Sequence, residues 1–101
     1  MSRGAGGNIR GRVRLLLDPS KVATFKKGEI LLAPMTSPEY IFVMRKAVAI
    51  ITDAGGLTCH AAIVSRELGI PCIVGTKIAT KIFKTGDLIE VDANTGIIKK
   101  I

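Results

Sequence analysis

Short apolar runs separated by turn residues define the pattern of this chain, and they predict a mixed α/β domain. Two of the runs, 29–33 and 47–52, are apolar almost throughout, which is typical of strands buried on both faces. The predicted strands are 12–17, 29–33, 47–52, 72–74, 88–92 and 97–99, the last two forming a hairpin. Two main helices are predicted over 38–46 and 59–68, and residues 78–83 fit one or two further helical turns. Short strands with two main helices indicate the α/β class.

The ends of both helices carry sequence signals. Ser37 can cap the first helix, Pro38 suits its first position, and Glu39 favours the helix dipole. Gly69 suits the left-handed residue that follows the second helix. The apolar face that anchors the second helix is predicted to contain Ala61, Val64 and Leu68.

The length of 101 residues implies one domain. We predict a loose, Gly- and Arg-rich segment over 1–10 and a folded domain over 11–101. The chain has no apolar run long enough to cross a bilayer and no apolar stretch after Met1 that would act as a secretion signal. We therefore expect a cytoplasmic protein without membrane partners, in which Cys59 and Cys72 are reduced.

A formal net charge of +7 raises the alternative of a nucleic-acid-binding domain. The basic residues are scattered rather than grouped in one helix, and few aromatic residues lie between them. An acidic partner or a phosphorylated ligand explains the charge equally well, so nucleic-acid binding is the least favoured function. With neither a CxxC pair nor a second histidine, the sequence predicts no metal site.

The only histidine, His60, lies where a glycine-rich turn runs into the second predicted helix. The N–H groups and partial positive charge of a helix N-terminus attract phosphate, and imidazole is a nucleophile that forms covalent intermediates. The same charge disfavours the imidazolium form, which leaves a neutral, nucleophilic ring. This pattern favours a phosphoryl-accepting histidine over a structural one.

The neighbours of His60 each have two interpretations. Thr58 either caps the helix or uses its hydroxyl to orient His60 or to touch the phosphate. Gly55 and Gly56 either form only a turn or line the phosphate with backbone N–H groups. Cys59 would point about 100° away from His60 around the helix, so a Cys–His nucleophile is not expected.

Two charged residues near His60 in the sequence, Arg66 and Asp53, are not expected to take a direct part in its chemistry. Arg66 is about 240° away from His60 around the helix, so contact with solvent or a partner is favoured over contact with phosphate. Asp53 is interpreted as a turn residue rather than a base.

The spacing Gly-Gly-x-Thr-x-His-x-x-Ile, followed by Leu-Gly-Ile-Pro-x-x-Val-Gly, resembles the phosphohistidine domain of the phosphoenolpyruvate-utilising enzymes. That family includes phosphoenolpyruvate synthase, pyruvate phosphate dikinase and enzyme I of the sugar phosphotransferase system. Residues 58–75 are most similar to the synthase branch. The resemblance extends from about residue 10 to the end of the chain, through Gly28-Glu29-Ile30-Leu31, Thr36-Ser37-Pro38-Glu39, Gly86-Asp87 and Val91-Asp92.

The resemblance implies a swivelling β/β/α domain in which His60 is transiently phosphorylated. It implies that the domain carries phosphate between an ATP-grasp nucleotide-binding domain and a TIM barrel that binds phosphoenolpyruvate or pyruvate, in cis or in trans. ATP and Mg²⁺ are then expected on the partner domain, with no cofactor on this one. Thr58 becomes a possible target of a regulatory kinase. The segment with Thr36, Ser37 and Glu39 is either a helix cap or a second source of groups that orient His60.

Neither the ATP-grasp domain nor the barrel is encoded in these residues, so the chain is expected to be incomplete as an enzyme. It is either a free-standing carrier or a piece of a longer polypeptide, and Met1 with the C-terminal hairpin slightly favours the first. A non-catalytic regulatory or docking module with the same fold is the alternative, against which the presence of His60 argues.

Overall fold

The computed structural model describes residues 2–3, 8–56 and 58–101. The strands are β1 (Ser2–Arg3), β2 (Asn8–Leu15), β3 (Ile30–Ala33), β4 (Ala49–Thr52), β5 (Cys72–Val74), β6 (Leu88–Asp92) and β7 (Ile97–Lys100). The helices are α1 (Ile41–Lys46), α2 (His60–Leu68) and α3 (Ala79–Ile82), with 3₁₀ segments at Pro19–Thr24 and Pro38–Tyr40. The mixed α/β class predicted from the sequence is confirmed.

The described strands form one sheet in the order β1-β5-β4-β3-β2-β6-β7. Strands β2, β3, β4 and β5 are parallel neighbours, whereas β1, β6 and β7 pair antiparallel at the two ends. The second half of β2 pairs with β3, and its first half pairs with β6. This long strand therefore joins the parallel part of the sheet to the β6–β7 hairpin.

The predicted boundary between a loose segment and a domain at residues 10 and 11 falls inside β2. Asn8, Ile9 and Arg10 pair with β6, and Ser2–Arg3 pairs with β5. Sequence reasoning put the strand start at residue 12 because glycines and arginines dominate the preceding residues. The partner strand β6 lies about eighty residues later in the chain, and local composition does not report such a pairing.

Two hydrophobic clusters lie on the two faces of the parallel strands. Leu31 and Ile50 point to the cluster that includes α1 and α2, whereas Ile30 and Ile51 point to the cluster that includes α3 and β6. At Gly11 the half of β2 that pairs with β6 lies close to β3, because a Cβ there would lie 3.2 Å from the Ile30 side chain. The result is three layers: the hairpin with α3, the parallel sheet, and α1 with α2.

Helix α2 packs on the sheet through part of the predicted face, Ala61 and Val64, and through two small residues that the pattern did not include, Ala62 and Ser65. Its buried residues are Ala61, Ala62 and Ser65, whereas Val64 is half-buried and Leu68 is exposed. The Ser65 hydroxyl donates to the Ala62 carbonyl at 3.0 Å, which satisfies the buried polar group. Hydrophobic periodicity missed Ala62 and Ser65 because small side chains bring a helix closer to a sheet without adding to the apolar pattern.

The helix predicted over 38–46 begins as a 3₁₀ turn, Pro38–Tyr40, and continues as α1. Pro38 occupies the start as predicted, but Ser37 makes no side-chain capping bond. Its hydroxyl donates instead to the Glu39 carboxylate at 3.0 Å. Gly69 ends α2 in the left-handed conformation, φ 70°, as predicted. No helix within the described residues is long and apolar enough to cross a membrane.

The ion pair between Arg14 and Glu29 fixes the start of β3 against β2. Two bonds of 3.0 and 3.1 Å join the guanidinium to the carboxylate, and the side chains are 22% and 16% exposed. Burial opposes ionisation of Glu29, but hydrogen bonds from the Arg14 side chain and the Lys26 backbone N–H outweigh it. They hold the pKa of Glu29 below its ordinary value of 4.5.

We expect Glu29→Gln to lower the free energy of unfolding by about 1–2 kcal/mol at about pH 7. Because the pKa of Glu29 is lowered in the folded state, this stabilisation is present above 4.5 and is lost as the pH falls through the folded value. The difference between the two proteins should therefore shrink at about pH 3 in urea unfolding experiments. Glu90→Gln is the control, because the Arg10 side chain of that pair is 70% exposed. An undiminished Glu29→Gln effect at the lower pH would contradict the assignment.

Candidate functional site

The turn after β4 depends on Gly55. Its φ of 120° disfavours any side chain, and a Cβ there would lie 2.6 Å from the Cys59 Sγ. The same turn packs against Gly75, where a Cβ would lie 2.9 Å from the Gly55 carbonyl oxygen. Gly56 differs, since a Cβ there would meet nothing within 4 Å. Gly55 therefore sets the path of the turn, and Gly56 leaves open space beside it.

His60 is the first residue of α2 and is half-buried. Its Nδ1 lies 2.8 Å from the Oγ1 of Thr36. Thr36 is buried, with 9% of its surface exposed. Thr36 follows β3, and the turn that leads to His60 follows β4, so both arrive at the carboxyl end of the parallel strands. Ligand sites in open α/β sheets lie at this end. With Nδ1 engaged, Nε2 is the ring nitrogen that remains for chemistry.

A cavity of about 200 Å³ opens beside the imidazole. It is lined by Met35, Thr36, Thr52, Ala54, Gly55, Cys59, His60 and Ala61. None of these lining residues is a lysine, an arginine or a carboxylate. Within the described chain, no group of three or more histidine, cysteine, aspartate or glutamate side chains could hold a metal ion. The cavity can accept a small group on His60 but offers it few charged contacts.

Some of the residues predicted to form the site contact His60 in the structure, and others do not. Thr58 is exposed and lies before Cys59, which is the N-cap residue of α2 and makes no side-chain capping bond. Thr58 is therefore not the cap. Among the hydrogen bonds of the described residues, the hydroxyl that reaches His60 belongs to Thr36. From the sequence, Thr36 was either a helix cap or a group that orients His60. The pairing of β3 with β4 places its hydroxyl beside the ring, which favours the second role.

Cys59 lines the cavity, whereas Cys72 and the arginines of β2 are not among its lining residues. Within the described residues Cys59 and Cys72 form no disulfide, and Cys59 packs against the cluster that includes α1 and α2. Arg10 bonds to Glu90 at 2.8 Å, Arg12 donates to the Gly86 carbonyl at 2.9 Å, and Arg14 pairs with Glu29. A nucleic-acid-binding surface along β2 would need these three arginines, and each of them already bonds to another group of the domain.

Residues 25–96 match the family described as "PEP-utilising enzyme, mobile domain". The chain belongs to this family. The resemblance to this family that the sequence predicted is therefore confirmed.

Relatives of this mobile domain are much longer proteins. The phosphoenolpyruvate synthase of Pyrococcus furiosus is 53% identical over 90 residues, which are 89% of this chain and 11% of that protein. The probable phosphoenolpyruvate synthase of Archaeoglobus fulgidus is 47% identical over 92 residues, or 91% of this chain and 12% of that protein. The chain thus spans only about a ninth of these curated relatives.

Solved structures share the fold. The solution structure of an enzyme I protein, nEIt, superposes with a TM-score of 0.66 at 32% identity, over 78% of this chain and 33% of that one. The holo-form of aconitase X from Thermococcus kodakaraensis gives a TM-score of 0.73 at 21% identity, over 99% and 95% of the two chains. The second likeness is one of fold alone.

We expect Gly55→Ala to lower the free energy of unfolding by about 1–3 kcal/mol, because the new Cβ is strained at this φ and meets the Cys59 Sγ. Gly56→Ala is the matched control, and its effect should stay below about 1 kcal/mol because the space around it is open. Urea unfolding of the two variants measures the difference. Equal losses at the two positions would show that Gly55 does not set the turn.

Proposed function

We propose that this mobile domain is a phosphoryl carrier in which His60 accepts the phosphoryl group on Nε2. The observation that carries the proposal is the 2.8 Å hydrogen bond between Nδ1 and the buried Thr36 hydroxyl. A neutral imidazole holds one proton on its two nitrogens. When Nδ1–H donates to the Thr36 Oγ1, Nε2 keeps its lone pair and becomes the nucleophile.

Transfer to His60 is a single displacement at phosphorus. The Nε2 lone pair forms the N–P bond while the P–O bond to the leaving group breaks, and its electron pair goes to the leaving oxygen. In the reverse direction an acceptor oxygen attacks the phosphorus, and the electron pair of the broken N–P bond returns to Nε2. His60 therefore needs no change of oxidation state and no cofactor in its own domain.

The surroundings favour a phosphoryl group that is held and then released. The α2 N-terminus provides a partial positive charge that stabilises the dianion, and Gly56 leaves room beside it. The backbone around Gly55 and Gly56 is proposed to line the phosphate. Because no lysine or arginine is among the residues that line the cavity, the domain would not compete strongly with the cationic sites of its partners.

The partners are inferred from the relatives. Proteins named phosphoenolpyruvate synthase contain the matched region as about a ninth of their length, which leaves room for other domains. We propose an ATP-grasp domain as the donor site, with ATP and Mg²⁺ bound there, and a barrel that binds phosphoenolpyruvate or pyruvate as the other site. The carrier would act on them in cis or in trans.

With a matching ATP-grasp or barrel partner, His60 should become phosphorylated on nitrogen, and His60→Ala should lose the label. A phosphoramidate is labile in acid and stable in base, unlike the phosphate ester of a serine or threonine. Mass spectrometry of the labelled domain at neutral and acidic pH reads out the bond type. Circular dichroism of His60→Ala controls for folding. A label that survives acid, or persists in His60→Ala, would exclude the mechanism.

Thr36→Val keeps the shape of the side chain but removes the partner of Nδ1. We expect the rate of His60 phosphorylation to fall about tenfold, because the ring is no longer held in one orientation and tautomer. Thr58→Val is the matched control, since Thr58 is exposed and makes no bond to the ring. Single-turnover labelling measures both. If phosphorylation of His60 slowed in Thr58→Val but not in Thr36→Val, Thr58 would be the orienting residue, which was one of its two interpretations from the sequence.

A further inference from the structure

We infer that Asp53 is a positioning residue for His60, acting through a group of side chains that we call the latch: Asp53, Thr76 and Thr80. This inference rests on the proposed function of His60 and identifies what holds the ring's surroundings in place. Asp53 directly follows β4 and begins the turn that carries Gly55. Its carboxylate is half-buried and bonds to residues after β5.

The latch is built from three hydrogen bonds to one carboxylate. The Thr80 backbone N–H donates to the Asp53 Oδ1 at 2.9 Å, and the Thr80 hydroxyl donates to the Asp53 Oδ2. The Thr76 hydroxyl lies at 3.5 Å from the Oδ1 and also donates to the Thr52 carbonyl at 3.0 Å. Both oxygens of Asp53 are thus occupied by the segment that leads into α3.

The Asp53 turn is also bonded through its backbone to the end of β3 and to Pro34, which lead to Thr36. The Asp53 N–H donates to the Ala33 carbonyl at 3.3 Å, and the Ala54 N–H donates to the Pro34 carbonyl at 2.9 Å. Thr36 follows two residues after Pro34. Displacement of the turn would therefore move the chain that presents the hydroxyl to His60.

The other end of the turn reaches the residue before His60. The Cys59 N–H donates to the Gly56 carbonyl at 3.1 Å, and the Cys59 side chain fills the space that a Cβ on Gly55 would need. The turn consequently touches the chain on both sides of the bond between Thr36 and His60. A small shift of the turn changes the distance and the angle between the hydroxyl and Nδ1.

The segment that the latch holds contains strained backbone. Lys77 has a φ of 73°, the one positive φ at a non-glycine residue among those described. Its N–H donates to the Asp53 carbonyl at 2.8 Å, and the Thr76 N–H donates to the Thr52 carbonyl at 3.2 Å. Residues held in the left-handed region persist only where their surroundings fix them. The backbone and the carboxylate of Asp53 supply that fixation.

A purely structural role is the competing explanation, since Asp53 bonds the second residue of the short helix α3. Asp92 offers the matched comparison. Its carboxylate accepts from the Asn94 and Thr95 backbone N–H groups at 3.0 and 3.2 Å in the turn between β6 and β7. Both aspartates stabilise a turn, but these bonds of the Asp92 carboxylate stay within the hairpin turn, whereas those of Asp53 join segments that are distant in the chain.

The test compares Asp53→Ala, Asp92→Ala and Thr80→Val in the full chain. The first readout is the ¹⁵N resonances of the His60 ring, which report the tautomer and the hydrogen bond at Nδ1. The second is the rate at which potassium phosphoramidate, a small chemical phosphoryl donor, labels His60. Thr80→Val removes the hydroxyl bond but keeps the backbone bond, so it remains informative if Asp53→Ala does not fold.

We expect Asp53→Ala to shift the Nδ1 resonance and to slow labelling about tenfold relative to Asp92→Ala. Thr80→Val should shift the resonance in the same direction by a smaller amount. Ring resonances that match the wild type in both latch variants, with a fall in melting temperature like that of Asp92→Ala, would overturn the inference. If phosphoramidate fails to label even the wild type, the carrier proposal is weakened, while the ring resonances still decide the role of the latch.

Discussion

The register between β3 and β4 is the constraint on which the site depends. Ala33 lies opposite Thr52 in this parallel pair, so the two chains leave the sheet side by side. The residues that follow can then reach each other, and the Thr36 hydroxyl comes to 2.8 Å from the His60 Nδ1. A shift of one residue would turn the side chains of β4 to the opposite face and separate the two loops. The apolar residues on both faces of these strands hold that register.

Close packing behind the site gives the histidine its place at a helix N-terminus. Gly55 and Gly75 allow two loops to touch where any Cβ would collide. Ala61, Ala62 and Ser65 allow α2 to lie close against the sheet. These are small residues that contribute little apolar area, yet they determine where the first turn of α2 lies. The stability of the domain comes mainly from the large side chains of the strands, and the geometry of the site comes from the small ones.

The proposed chemistry fits a site with few charged groups. A carrier has to accept and release the same phosphoryl group, and strong cationic contacts would favour the loaded state. The cavity beside His60 is lined by hydroxyl, thiol and apolar side chains. A helix N-terminus stabilises the dianion by only about 0.3–1 kcal/mol near the surface. In the proposed mechanism each partner site would supply the charge needed for catalysis, and the named relatives that contain this region are much longer proteins.

The sequence by itself determined the α/β class, the strands β3 to β7, the family and the position of His60 at the start of a nine-residue helix. These follow from local patterns: apolar runs, turn residues and one specific motif. Only the tertiary structure decided that Thr36 bonds to His60, that Asn8 to Arg10 belong to a strand, that α2 packs through Ala61, Ala62 and Ser65, and that Asp53 binds Thr80. Each of these depends on which strands become neighbours, because pairing joins residues that are distant in the chain, and local patterns do not record it.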